Sequence, residues 1–244
     1  MFTVMTYNVG NGLAGAPDLV SYLRKADADF VGRQELTATQ AEAIAGNLGD
    51  VYPYRALFGT GIPGKGVLSR YPLVETRQLH LSPARPELRA VVDLAGMHLT
   101  VIVAHTRPPR LRDAGRRTDP ATTAQLRYLA DLAIAQAPAV LLGDFNMTAR
   151  SAGHALLTAA GLSDAFQQGG TGHGFTLPAR LGHWERMNRA LGWPLMPFLR
   201  VDYIWLTTQL HVTESWTERG AGSDHRPVLA RLQLNAAARG DVVR

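Results

Sequence analysis

The chain reads as a mixed α/β protein on three observations: short apolar runs of strand length recur along it, helical stretches separate some of them, and others follow each other closely enough to be hairpins. Its 244 residues suffice for one domain with a substantial buried core, and no Pro/Ser-rich linker or block of charge divides them. Residues 1–235 are therefore expected to form a single domain, with 236–244 as a short C-terminal tail. No internal repeat or low-complexity tract interrupts this reading.

A first strand is expected at 3–7 and a second at 28–33, with a helix between them at 17–25, where apolar residues recur at three- and four-residue spacing. The same spacing predicts a helix at 38–48, and a short apolar run predicts a strand at 66–69. Strands at 88–94 and 99–104 flank Gly96, and the runs at 66–69 and 88–94 look like antiparallel neighbours, which argues against a purely parallel doubly wound sheet. A helix at 121–135, the apolar run Ala139-Val140-Leu141-Leu142 and a helix at 152–160 follow. Strands at 202–207, 210–216 and 227–234 complete the series.

Composition narrows the chemistry. With no cysteine, disulfides, iron–sulfur clusters and thiolate-bound zinc are excluded, so any metal must be held through oxygen and imidazole. The net charge of +5 is carried almost wholly by Arg, since Lys occurs only at Lys25 and Lys65. Such a charge favours anions in general and names no partner. No apolar run reaches the roughly 18 residues a membrane helix needs, and the first residues already look like a strand, leaving no room for a signal peptide. A soluble, monomeric and cytoplasmic protein is expected for the chain as given. A chain trimmed to this part would begin the same way, which keeps a removed export signal or membrane anchor open.

The polar residues that close or begin the apolar runs carry the chemistry. They are Thr6-Tyr7-Asn8, Gln34-Glu35, Ala104-His105-Thr106, Gly143-Asp144-Phe145-Asn146, Val201-Asp202-Tyr203-Ile204 and Ser223-Asp224-His225 ahead of Arg226-Pro227. Strand ends in layered α/β folds present side chains into one crevice, so these six distant segments can meet at a single site. In this order, with Leu68-Ser69-Arg70-Tyr71-Pro72 among them, they resemble the endonuclease/exonuclease/phosphatase superfamily of metal-dependent phosphoesterases, from Asn8 to about Leu234. The resemblance implies a four-layer α/β/β/α sandwich of two packed mixed sheets flanked by helices, and a catalytic role for the domain.

Phosphodiester hydrolysis needs an activated water, stabilisation of charge on the phosphoryl oxygens and relief of the departing alkoxide. Glu35 is the first candidate for a metal ligand, because a carboxylate at a strand end is costly to bury unless paired or coordinated. Asn8 and Asp224 would complete a sparse oxygen shell around Mg²⁺, with Mn²⁺ as the alternative ion. Asp144 and Asn146 stand two apart and would share a face if the chain stays extended. By resemblance, Asp144 polarises water or assists the leaving group and Asn146 orients it, with an Asx-turn as the structural alternative. Asp202 would accept a hydrogen bond from His225 and fix its tautomer, leaving His225 to face the scissile phosphate. Either Asp144 or His225 can serve as the base. His105 would contact a phosphoryl oxygen. Its identity sets the chain apart from abasic-site endonucleases and closer to the deoxyribonuclease, sphingomyelinase and phosphatase branches.

Arg33, two residues before Glu35, is where the superfamily usually has an apolar residue. Strand alternation would aim it at the site, to bind phosphate or to pair with a clustered carboxylate. Two further segments bear on substrate. Arg107, Arg110, Arg112, Arg116 and Arg117 follow His105 and could track a polyanionic backbone. Trp184 and the run from Trp193 to Leu199 could form an apolar wall over an ester group or a peripheral membrane contact, unlike a groove with spaced stacking aromatics. The resulting expectation is a Mg²⁺-dependent phosphodiesterase acting on a lipid-like or small organic diester. The alternatives are a DNase-like endonuclease, a phosphomonoesterase and a non-catalytic binding module of the same fold.

Overall fold

A computed structural model of the chain describes residues 1–82, 85–108, 118–179 and 196–235. In order, these form β1 (Phe2–Asn8), α1 (Ala16–Lys25), β2 (Phe30–Gln34), α2 (Ala38–Asn47), β3 (Tyr54–Phe58), β4 (Lys65–Ser69), β5 (Leu73–Leu79), β6 (Glu87–Leu94) and β7 (Met97–His105). There follow α3 (Pro120–Ala135), β8 (Ala139–Asp144), α4 (Ala152–Ala159), β9 (Ser163–Asp164), α5 (Ala165–Gly169), β10 (Asp202–Leu206), β11 (Leu210–Thr217) and β12 (Val228–Leu234).

Two six-stranded sheets result, ordered β11-β12-β1-β2-β4-β3 and β5-β6-β7-β8-β10-β9. Three apolar layers hold the four-layer sandwich together. The inner faces of both sheets bury Val4, Phe30, Val67, Val101, Val103, Leu142, Ile204 and Leu232 against each other. The outer face of the first sheet packs Met5, Val31 and Leu68 on Leu19, Leu23 and Ile44 of α1 and α2. The outer face of the second packs Ile102, Leu141 and Trp205 on Leu126, Leu129 and Leu157 of α3 and α4. Strands covered on both faces lose the regular apolar/polar alternation, which is why β1, β2 and β8 are legible as mostly apolar runs despite Thr3, Thr6, Arg33 and the polar residues at their carboxyl ends. The sheets approach closely at Gly32, where a Cβ would lie 2.1 Å from Leu142 Cδ1.

Helix starts follow local chemistry. Thr37 and Gln40 form a reciprocal capping box on α2, Asp119 caps α3 ahead of Pro120, and Ser151 caps α4. The strands β3, β5 and β9 and the short α5 were not expected from the sequence. β5 lies at a sheet edge with Val74, Glu75, Thr76 and Arg77 exposed, so it lacks an apolar signal. One expected pairing is also corrected: β4 and β6 are not neighbours, because β4 pairs with β2 and β3 in one sheet while β6 pairs with β5 and β7 in the other. Among the described residues no helix is long and apolar enough to cross a membrane.

The topology gathers the polar strand ends. Each sheet contains one parallel pair joined by a helical crossover, β1 with β2 through α1 and β7 with β8 through α3. Their carboxyl ends bring Asn8 beside Gln34 and His105 beside Asp144. β10 and β12 run antiparallel to β8 and β1, so they begin at this same end, with Asp202 opposite Asp144 and Val228 opposite Thr6.

Asp144 can occupy its place because Gly143 precedes it. Gly143 has φ of 151°, and a Cβ there would lie 1.9 Å from the Ala104 carbonyl oxygen. Gly143→Ala is expected to lower the unfolding free energy by about 3 kcal/mol or more, since backbone must move to admit the methyl. Urea unfolding checks this, and a loss below about 0.5 kcal/mol, the scale of a neutral surface change, would refute the close approach.

Candidate active site

Asn8 ends β1 with its side chain fully buried, and its amide links two acidic groups. Asn8 Nδ2 donates to Asp144 Oδ2 at 3.0 Å and to Glu35 Oε1 at 3.4 Å, while Asn8 Oδ1 accepts the Gly10 N–H at 3.0 Å. Glu35 follows β2 in the left-handed region, with φ of 58°. A non-glycine residue there is strained, and such strain is retained where surrounding structure holds it for a purpose. Burial raises the Glu35 carboxyl above its ordinary value, the Asn8 hydrogen bond opposes this, and Asp224 adds to the rise. Asp224 lies across the turn from β1, near enough that a Cβ on Gly10 would meet its Oδ1 at 2.9 Å.

Beside this group lies a second one. His225 Nδ1 pairs with Asp202 Oδ2 at 2.8 Å, and His225 Nε2 lies 3.9 Å from Asp144 Oδ2. Burial opposes the imidazolium, but Asp202 and Asp144 outweigh it and raise His225 from 6.5 to about 10. Burial raises Asp144 from 3.8 to about 7, with the His225 charge pulling the other way and Asp202 adding to the rise. The imidazole is therefore the cation of this buried group near neutral pH.

His105 ends β7 in a different state. Arg85 Nη1 donates to His105 Nε2 at 2.7 Å and to the Thr106 carbonyl at 3.1 Å. Burial, with the nearby charges of Lys65 and Arg85, holds His105 well below the usual imidazole range. The carboxylates of Glu35 at 3.7 Å and Asp144 at 3.5 Å thus face a neutral ring, not an ion pair. Behind it, buried Glu87 accepts the His105 backbone N–H at 2.8 Å, pairs with buried Lys65 at 3.7 Å and accepts from Gln125. Sequence reading missed Arg85, Lys65 and Glu87. The rarity of Lys and the place of Arg85-Pro86 just before β6 were the available signals.

The structure thus brings Asn8, Glu35, His105, Asp144, Asp202, Asp224 and His225 to one sheet edge. Asn146 reaches that edge by another route than expected. Its φ is 49° and its N–H donates to Asp144 Oδ1 at 2.9 Å, so the chain turns after Asp144 instead of staying extended. Its side chain holds the Thr106 carbonyl at 2.9 Å and ties the ends of β7 and β8 together.

Arg33 is a correction. It is fully buried, none of its three guanidinium nitrogens has a hydrogen-bond partner, and it forms neither a phosphate-facing arm nor a carboxylate pair among the described residues. Burial lowers it from 12.5 to about 10, and Tyr52, Tyr7 and Tyr22 are the groups that favour its charge. Strand alternation puts Arg33 on the helix side with Val31, and the left-handed turn at Glu35 then breaks the rule that would have aligned Arg33 with Glu35. Arg110, Arg112, Arg116, Arg117, Trp184, Trp193 and the tail 236–244 lie outside the described residues.

The donor set suits a hard divalent cation. Among the described residues, Asp144, Asp202 and His225 form one compact group with ligand-type atoms within 4.8 Å of one another. The short Asp202–His225 hydrogen bond and the imidazolium charge already account for their closeness. Glu35 and Asp144 share the Asn8 amide and Asp224 lies across the turn from it, so three side chains of the oxygen type that a hard cation prefers flank Asn8, and burial raises the Glu35 carboxyl. For Asn8 to ligate through oxygen, its amide would turn over and give up the Gly10 N–H.

The sequence model of the Endonuclease/Exonuclease/phosphatase family matches residues 5–225. The uncharacterized protein YbhP of Escherichia coli is 25% identical over 269 residues, covering 96% of this chain and 96% of its own. An endonuclease/exonuclease/phosphatase from Beutenbergia cavernae superposes with a TM-score of 0.75 at 23% identity, covering 97% of this chain and 72% of that one. D. rerio TDP2 complexed with single strand DNA product superposes with a TM-score of 0.71 at 20% identity, over 95% and 98% of the two chains. At these identities the solved structures show a shared fold.

The raised His225 value has a consequence for metal-free protein. The folded state keeps a proton that the unfolded chain loses near 6.5, so this stabilisation is complete below that pH and is lost as pH rises through about 10. Urea midpoints of EDTA-treated protein should fall between pH 7 and pH 10, and His225→Gln should flatten the fall. Equal slopes in the two proteins would assign the titration to other groups.

Proposed function

This chain belongs to the endonuclease/exonuclease/phosphatase family, whose members are phosphoesterase hydrolases, and from that membership and the site geometry we propose that it is a metal-dependent phosphodiesterase. The observation that carries the reading is the buried Asp202–His225–Asp144 group set beside Asn8 and Glu35, with His105 and Arg85 on the same edge. Glu35, Asn8 and Asp224 would hold the divalent cation, Mg²⁺ or Mn²⁺, which when bound supplies positive charge to a phosphoryl oxygen and makes water more acidic.

Asp144 takes the role of base, because its affinity for a proton lies near neutrality, where a general base works best. Charged His225, aimed by Asp202, donates from Nε2 to a phosphoryl oxygen and stabilises charge that builds in the transition state. Neutral His105 accepts from Arg85 and so aims the guanidinium, which is the stronger partner for the phosphate. Asn146 keeps the loops after β7 and β8 in register by holding the Thr106 carbonyl.

For substrate, the reading favours a lipid-like or small organic diester. Phe175, Met196 and Phe198 are 38%, 67% and 61% exposed on two segments bridged at Leu177 and Leu199. The first of these segments bonds directly to the loop of Asp224 and His225, through Arg226 N–H to Thr176 O at 2.8 Å and Ala179 N–H to Asp224 O at 2.6 Å. An apolar rim at that place suits a hydrophobic ester group. DNA is the second reading, supported by the +5 charge and by the solved TDP2 complex with a DNA product.

Purified protein in Mg²⁺ should hydrolyse a chromogenic phosphodiester faster than the monoester with the same leaving group, and supercoiled plasmid should stay largely intact. EDTA and Glu35→Ala should abolish turnover, and Asp144→Asn and His225→Gln should each lower kcat by at least about a hundredfold. Efficient plasmid nicking that vanishes with EDTA would make it a nuclease. Faster monoester hydrolysis would make it a phosphatase, and binding without turnover a non-catalytic module.

A further inference from the structure

Tyr7 stands one residue before Asn8, and its ring belongs to the helix-side core, edge-on to Tyr22 with centroids 5.7 Å apart. Its hydroxyl leaves that apolar layer to meet the loop between β11 and β12. There it accepts the Ala221 N–H at 2.8 Å and the Ser223 N–H at 3.4 Å. The loop lies so tightly on the phenol that a Cβ on Gly220 would sit 2.4 Å from the Tyr7 oxygen. Ser223 continues the connection, donating from Oγ to the Asn8 carbonyl at 2.7 Å and accepting the His225 N–H at 3.2 Å.

The loop carrying Asp224 and His225 is thus hung from the end of β1 by one phenolic oxygen and one seryl hydroxyl. Without the phenol, two backbone donors next to the catalytic dipeptide lose their acceptor, and the loop must move to satisfy them. Displacements of about 1 Å at reacting groups cost up to about a hundredfold in rate. We propose that the Tyr7 hydroxyl is a positioning group for the reaction, setting where Asp224 and His225 stand relative to Asn8 and Glu35. This inference rests on the reading of Asp224 and His225 as metal- and substrate-facing residues. Tyr7 touches neither metal nor substrate and acts only through the loop's backbone.

Tyr7→Phe keeps the ring packing and removes the acceptor alone. Its kcat for the chromogenic diester should fall about 10- to 100-fold, with KM within about twofold. Amide hydrogen exchange at Ala221 and Ser223 should accelerate, while exchange in β1 and β2 stays as in the wild type. Tyr22→Phe is the control, because the Tyr22 hydroxyl bonds the Glu218 side chain at the start of the same loop, at 2.8 Å, and not the Ala221 and Ser223 amides beside Asp224. It should keep wild-type kcat. Wild-type kcat in Tyr7→Phe, or equal losses in both variants, would overturn the proposal. Should the wild type hydrolyse no diester, the functional reading falls, and unchanged exchange at Ala221 and Ser223 in Tyr7→Phe would then refute the clamp independently.

Discussion

Burial of the two sheets' inner faces against each other is the constraint from which the site's geometry follows. Val4, Phe30, Val103, Leu142 and Ile204 meet in one layer, and Gly32 lets the sheets close to contact with Leu142. With the sheets held face to face, the carboxyl ends of β1, β2, β7 and β8 lie along one edge, and the starts of β10 and β12 must meet them there. Polar residues placed just past those apolar runs have nowhere else to go. Hydrophobic packing thus does the assembling, and hydrogen bonding does the fine placement.

Gathering so many acids in one buried place is costly, and the structure meets the cost unevenly. His225 offsets Asp202 and Asp144 by keeping its proton, and Lys65 offsets Glu87. Glu35, on a strained backbone, has the Asn8 amide as its hydrogen-bond partner and the neutral His105 ring beside it, and burial raises its carboxyl. A divalent cation is the natural complement of that remainder, since it interacts with several oxygens at once. Arg33 presents the reverse problem on the far side of the same strand. Its charge is buried among phenols with no hydrogen bond to any of its nitrogens, and nothing among the described residues explains why it is Arg.

The main strands and helices were legible because two-sided burial leaves apolar runs and one-sided burial leaves helical spacing. β5 escaped because its side chains are mostly exposed, and β9 because it is two residues long. Asn8, Glu35, His105, Asp144, Asp202, Asp224 and His225 could be picked out as a set because each sits where an apolar run stops or is about to begin. Arg33 and Asn146 were misjudged for a shared reason: both inferences assumed alternating strand geometry through residues that turn left-handed, at Glu35 and at Asn146 itself. For Arg85, Lys65 and Tyr7 the local signals are faint, because their roles exist only across contacts to His105, Glu87 and the Ala221 and Ser223 amides.

By itself the sequence determined the layered α/β class, the main element order and which polar residues stand at strand ends, since these depend on period, composition and order along the chain. Only the tertiary structure decided that burial holds the His105 imidazole low while Asp202 and Asp144 raise that of His225, that Arg33 faces the helices and that a tyrosine hydroxyl anchors the loop of Asp224 and His225. Those properties depend on distances between groups far apart in the chain and on the water excluded around them, and neither is written in local pattern.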